Sequence, residues 1–314
     1  MKIIKSIIML ALVATSLVVA GCTPDPIEDT PHQVPGTDPG TDPGTGTWTG
    51  DGTIFVDTTP ICRNILIEEI TGIKCVYCPD GHNEADRIAA AYNGRAFVIN
   101  IHASGLAEGE PNYKTDDGDS LYNTFGSAGL PCAYINRYPW GSSGTYPKGR
   151  GEYSSCSYKI SHKPAYINIA ASSTIDTASR KLTVHVQAYF TDTTSATSLL
   201  NVALIQNNIL GPQSGAARFY PEHYDSITGM YTHNHMFRKF LTGTWGEEIP
   251  YTGKGSLFER TITYTIPEQL GRGNIDVVLE DLEIIVFVTQ PSFYNDADCS
   301  VNVINVNRSE LRLI

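Results

Sequence analysis

The chain has 314 residues, 18% charged and 41% hydrophobic, with a formal net charge of −11. So acidic a chain is a poor partner for nucleic acid, which is held through basic patches. No cofactor motif is evident, and neither a cofactor nor a metal is expected.

Residues 1–21 read as an export signal. Lys2 and Lys5 precede an apolar run from Ile7 to Val19 that ends in small residues before Cys22. That run is short for a membrane span and suits a cleaved signal. It resembles the bacterial lipobox, which makes Cys22 the expected site of lipidation. Losing the two lysines takes the net charge to −13. The lipid, rather than charge, must then hold the chain on an anionic membrane. Residues 22–52 are rich in Pro, Gly, Thr and Asp, with TDPG twice in succession. Such a composition buries too little apolar surface to offset ordering entropy, so a disordered tether is expected.

The next segment alternates. The pattern gives a strand over 63–72, a helix over 78–94, a strand over 95–103, a short helix over 120–126, a strand over 130–138 and a helix over 151–162. Such alternation predicts an α/β domain over 53–163. From 164 to 314 helical periodicity is nearly absent. A hairpin pattern over 165–190 and runs over 199–208, 257–266, 282–290 and 300–308 predict an all-β sandwich.

TGIKCVYCPDGH, residues 71–82, places Cys75 and Cys78 between a strand and a helix. A structural zinc site needs four ligands, usually as two close pairs, and there is only one such pair. A bridge closing so short a loop removes little chain entropy. A redox pair fits better. The positive end of a helix favours a thiolate, Lys74 pushes the same way, and Pro79 is tolerated in the first turn.

Strand–CxxC–helix, Glu69 six residues before Cys75, and Leu130-Pro131 opening a later strand together resemble the thioredoxin superfamily. The resemblance implies Cys75 as attacking thiolate, Cys78 as resolving thiol, Glu69 as a buried proton relay and Pro131 as a cis-proline platform. It departs in the Val-Tyr pair between the cysteines. The hairpin expected after the proline strand is also hard to find in the Gly-rich 141–151. LIEEITGIKCVYCPDGH, GLPCAYINR and YTHNHMFRK resemble the Bacteroidetes twenty-eight-kilodalton outer-membrane lipoprotein family. That resemblance implies a thioredoxin-like α/β domain followed by an immunoglobulin-like β-sandwich, on the periplasmic or cell-surface face of the outer membrane.

Other residues are candidates beside the dithiol. His82 shares the helix face of Cys78, although an exposed helix histidine is the plainer expectation. His102 ends a strand at the edge where sites gather in open α/β sheets. Cys132 follows Pro131 and offers a third thiol. Glu69 is expected inside its strand, unless the register buries Glu68 instead. His233 and His235 would share a strand face, but two histidines make a weak metal site and a structural or surface role is preferred. A Cys62–Cys156 bridge would staple a long loop, and Cys299 has no evident partner. Two functions stand against each other. One is thiol–disulfide exchange on exported proteins. The other is a non-catalytic adhesin or receptor that binds a surface ligand through its β-sandwich.

Overall fold

The computed structural model describes residues 47–49, 53–194, 196–250, 253–291 and 301–314. Cys22, Cys299, the signal segment and most of the tether lie outside the described residues.

Two short strands, β1 (Thr47–Thr49) and β2 (Thr53–Phe55), pair antiparallel at the end of the tether segment. The dithiol region follows. Strand β3 (Ile65–Thr71) leads into α1 (Cys78–Ala91), which returns to β4 (Ala96–His102), parallel to β3. Helix α2 (Asp116–Phe125) starts at Thr115, whose side chain accepts from the Gly118 amide at 3.0 Å. Strand β5 (Cys132–Ile135) runs antiparallel to β3 on its other side. Strand β6 (Pro147–Gly149) pairs with β5 and supplies the hairpin that the Gly-rich sequence concealed. Helix α3 (Tyr153–Ser161) ends this segment.

The second half begins with β7 (Ile167–Asp176), β8 (Lys181–Phe190) and β9 (Ser198–Gln206). An excursion then carries β10 (Ile209–Gly211), α4 (Ala216–Phe219), β11 (Tyr224–Asp225) and β12 (Met230–His233). Strands β13 (Met236–Phe240), β14 (Glu247–Ile249), β15 (Leu257–Thr265), β16 (Gln269–Leu270) and β17 (Ile275–Asp276) come next. The last are β18 (Leu282–Pro291), β19 (Val301–Arg308) and β20 (Glu310–Leu313).

The expected fold class, an α/β thioredoxin-like domain followed by an all-β immunoglobulin-like sandwich, is corrected here. The described residues are 43% strand against 20% helix. Its principal sheet has nine strands and runs through both halves, in the order β19-β18-β9-β13-β4-β3-β5-β6, with β14 on β9. The junction is β13, antiparallel to β9 and parallel to β4. The reason lies in β4, AFVINIH, whose seven residues are all buried. Its far edge would offer unpaired backbone groups to any passing strand, and a buried edge must be covered. The second half meets that edge at Met236, opposite Asn100, and at the His235 carbonyl, which accepts from the Asn100 amide at 2.7 Å. One core on a single face of the sheet then joins Leu66, Ile70 and Ile99 to Ile205, Phe237, Phe287 and Val306. On the opposite face α1 and α3 pack on the first-half strands. The four-stranded sheet β15-β8-β7-β20 packs there on β9 and β18.

Candidate functional site

The turn before α1 is built by backbone. The Cys75 amide donates to the Gly72 carbonyl at 2.9 Å, and α1 opens at Cys78 with Pro79 in its first turn. Cys75 and Cys78 form a disulfide. Cys75 is 3% exposed and Cys78 fully buried, whereas Val76 and Tyr77 between them are half exposed. Lys74 is exposed, with its amide donating to Leu106 at 3.0 Å.

Strand β3 is covered on both faces, so the choice between Glu68 and Glu69 dissolves: both are fully buried. Glu68 faces the core that crosses the two halves. There it accepts two hydrogen bonds of 2.7 Å from the buried Arg137 guanidinium. That guanidinium also lies 5.1 to 5.9 Å from the ring centroids of Phe287, Phe240 and Phe125. Glu69 points the other way, under α1, with the Tyr153 hydroxyl beside its carboxyl group but not in a well-formed hydrogen bond. Burial pushes its pKa well above the usual carboxylate range. The charge of Asp86 adds to this, while the Tyr153 hydroxyl and Arg150 pull against it.

Gly81 sets how closely α1 approaches this acid. A Cβ there would overlap Glu69 Oε1 and sit 2.8 Å from Pro131 Cβ. Gly81→Ala is expected to destabilise the chain by about 1–3 kcal/mol through overpacking, measurable as a lower urea midpoint. The Leu130–Pro131 bond is cis, and Pro131 is buried against α1. Glu69, Gly81, Pro131 and the dithiol helix thus form one packed unit. Cys132 does not join it. It pairs with Ile70 and packs on the opposite face, with its thiol 3.7 Å from Ser127 Oγ.

His82 is buried, not exposed. Its Nε2 lies 2.9 Å from Thr71 Oγ1 and its Nδ1 3.0 Å from the Tyr231 hydroxyl. His102, opposite Thr71 on the next strand, sits in a ring cluster with Tyr113 and His233 at 5.1 and 5.4 Å. Burial, together with neighbouring histidines, lowers His82 to about 3 and His102 well below its ordinary value. Burial takes His233 to about 4, against a backbone hydrogen bond to Pro212. All three are neutral imidazoles. His233 comes from β12 and His235 from the following turn, so the two part company. His235 lies 3.6 Å from Asp86 and 3.4 Å from Glu283. Burial alone would raise the Glu283 pKa, but His235, Arg308 and Asn207 together bring it to about 2. Among the described residues, no group of three or more His, Cys, Asp or Glu side chains is arranged to hold a metal ion.

The excursion between β9 and β13 lies over the CxxC turn. Gln213 Nε2 donates to the Cys75 carbonyl at 3.0 Å and to the Gly72 carbonyl at 3.2 Å. The Ser214 amide donates to Ile73 at 2.9 Å. Gly215, at φ 76°, lies so close that a Cβ would strike the Val76 carbonyl. The Phe219 and Tyr77 rings are 5.2 Å apart, and the Tyr220 hydroxyl donates to Asp86 at 2.9 Å. Sequence reasoning missed Gln213, Tyr153, Tyr231 and Arg137. Nothing local marks the first three. Arg137, at the end of an apolar strand, was the one visible hint of a partner for a buried acid.

The Cys62–Cys156 bridge is not formed. Cys62 is disulfide-bonded, whereas Cys156 is a free, buried thiol.

A mixed sheet that joins an α/β crossover to a β-rich second half, with a covered disulfide at the helix start, is the class of structure at hand. The outer membrane protein Omp28 family matches residues 118–312, and the chain belongs to that family. It is accordingly an outer-membrane protein. No helix among the described residues is long and apolar enough to cross a membrane. No curated protein matches the chain. Among solved structures it is similar to HBP35 of Porphyromonas gingivalis, at 18% identity and a TM-score of 0.57. The match covers 80% of this chain and 76% of that one. A protein from Agrobacterium tumefaciens follows, at 9% identity and a TM-score of 0.47, over 79% of this chain and 95% of that one. The HBP35 likeness shows a shared fold.

Proposed function

We propose that this outer-membrane protein carries out thiol–disulfide exchange on exported polypeptides through Cys75 and Cys78. The observation that carries the reading is Glu69. A structural bridge has no use for a fully buried carboxyl, set against a buried tyrosine hydroxyl, beneath its helix. Such a group is costly to bury, and perturbed acids of this kind gather at reacting sites.

In the reduced chain the Cys75 thiolate, favoured by the start of α1, attacks one sulfur of a partner disulfide. A mixed disulfide forms and the first partner thiolate leaves. Cys78 gives its proton to the Glu69 carboxylate, and its sulfur attacks Cys75. The second partner thiolate departs and takes a proton from solvent. Two electrons have passed to the partner, and the chain is left with the Cys75–Cys78 disulfide and a protonated Glu69. A second dithiol protein must reduce it for another turn.

The test is the equilibrium potential of the pair, by thiol trapping across a glutathione series. Between about −120 and −270 mV it lies in the range of working oxidoreductases. A value below about −300 mV belongs to structural bridges and ends the reading. Cys75→Ala should abolish exchange. Glu69→Gln should slow it by at least about a hundredfold, the lower range for a lost general acid–base group.

A second reading rests on the 3% exposure of Cys75. A sulfur so covered suits an inert bridge in a non-catalytic surface protein that binds its ligand elsewhere. In that case Cys75→Ala leaves partner binding unchanged.

A further inference from the structure

The covering excursion has a specific chemistry. Where it meets the CxxC turn it supplies donors to three backbone acceptors, the carbonyls of Gly72, Ile73 and Cys75. It also lays an aromatic ring on Tyr77. An extended polypeptide reaching for Cys75 would bring the same things: amide N–H groups for the carbonyls and a side chain for the exposed Val76-Tyr77 step. Turn carbonyls that must be satisfied when buried are thus satisfied by the protein's own chain.

We infer that residues 211–220 are an internal pseudo-substrate, seated on the surface where a partner polypeptide docks to reach Cys75. The inference rests on the exchange reading above and adds its binding surface and its gate. A partner displaces the excursion and takes over its hydrogen bonds. Anchors beyond the turn hold the excursion closed, and the Tyr220–Asp86 bond on α1 is one of them. The site would then favour segments that present backbone donors and an aromatic or apolar residue next to the disulfide.

The experiment measures how fast the Cys75–Cys78 disulfide of the full exported chain is reduced. It compares a small dithiol, dithiothreitol, with a protein dithiol, reduced thioredoxin. In either case the reductant's two thiols become a disulfide and the chain gains two. Gln213→Ala and Tyr220→Phe each remove one side chain's hydrogen bonding from the closed excursion, worth about 0.5–1.5 kcal/mol per bond. For one bond that converts to a rise of about twofold to thirteenfold in the rate with the protein dithiol, and Gln213, with two bonds to the turn, should give the larger rise. Tyr220 lies away from the sulfur, so its variant keeps the test open if Gln213→Ala folds poorly. The rate with dithiothreitol should rise by less than twofold in both variants. Equal increases with the two reductants, or none with either, overturn the pseudo-substrate. A potential below about −300 mV in the wild type overturns the exchange reading itself, independently of any rate ratio.

Discussion

Acidification from pH 7 to pH 4.5 is expected to unfold this protein or bring it close to unfolding. The cause is the trio His82, His102 and His233. All three are buried and neutral, with folded pKa values far below 6.5. Above about pH 6.5 the unfolded chain is neutral at these positions as well, and they cost nothing. Below it, the unfolded chain takes up three protons that the folded chain refuses. Stability present above pH 6.5 is therefore lost as the pH falls, by about 1.4 kcal/mol per pH unit for each histidine. Glu69 works in the opposite sense. Its folded pKa is raised, so its contribution is fully present below about pH 4.3 and lost as the pH rises. It offsets part of the histidine effect. What remains is a net loss on the order of a few kcal/mol between pH 6.5 and 4.5. Typical domains have about 5–15 kcal/mol in all. Urea midpoints across this range should fall steeply. His102→Phe, which keeps a ring in the cluster, should flatten the slope by about one proton. A flat profile from pH 7 to 4.5 would contradict the buried neutral trio.

Glu68→Ala is expected to lower stability by about 3–5 kcal/mol, the usual cost of stranding one member of a buried ion pair. Arg137 would be left with its charge inside a core of Phe125, Phe240 and Phe287, and its Nη1 already has no hydrogen-bond partner. The double variant Glu68→Leu with Arg137→Met should recover most of that loss, since apolar groups of similar volume often replace a buried pair at little cost. Urea unfolding of the two singles and the double, read as a cycle, gives the coupling directly. A Glu68→Ala protein as stable as the parent would mean that Arg137 finds water or another acceptor. The change should leave Glu69, on the other face of the strand, untouched, so the exchange rate at fixed folded fraction should stay within twofold.

Most elements were legible in the sequence, because their signals are local. The apolar run before CVYC, the helix ending at Asn93-Gly94 and the long hairpin over 165–190 each carry their own period and stop. Their assembly was not legible. Reading alternation and then strands as two separate folds misses that β4 has an edge to fill, and nothing in AFVINIH says which strand will fill it. The filler, MFRKF, is five residues long and contains two cations, which is weak evidence for a central strand. Arg238 is accommodated there because its guanidinium bonds to Gln206 and to the Leu270 and Ile275 carbonyls. The site divides along the same line. Cys75, Cys78, Glu69 and Pro131 came from a resemblance to the thioredoxin superfamily, carried by strand–CxxC–helix and by Leu130-Pro131 at the start of a later strand. Gln213 and Tyr231 were not visible, because they come from a distant loop with no periodicity.

The continuous core has a consequence for the order in which the chain becomes itself. Arg63 and Asn64, just ahead of β3, hydrogen-bond to the carbonyls of Val303 and Val306. Asn136 beside Arg137 receives the Val303 amide in return, and β20 lies parallel to β7. Contacts of such long sequence separation make folding slow. The dithiol crossover is therefore locked to the rest of the core only once β19 is in place on β18. The cover over the cysteines is itself distant in the chain, since Gln213 lies 138 residues from the Cys75 carbonyl it bonds, so the pair is shielded late in folding.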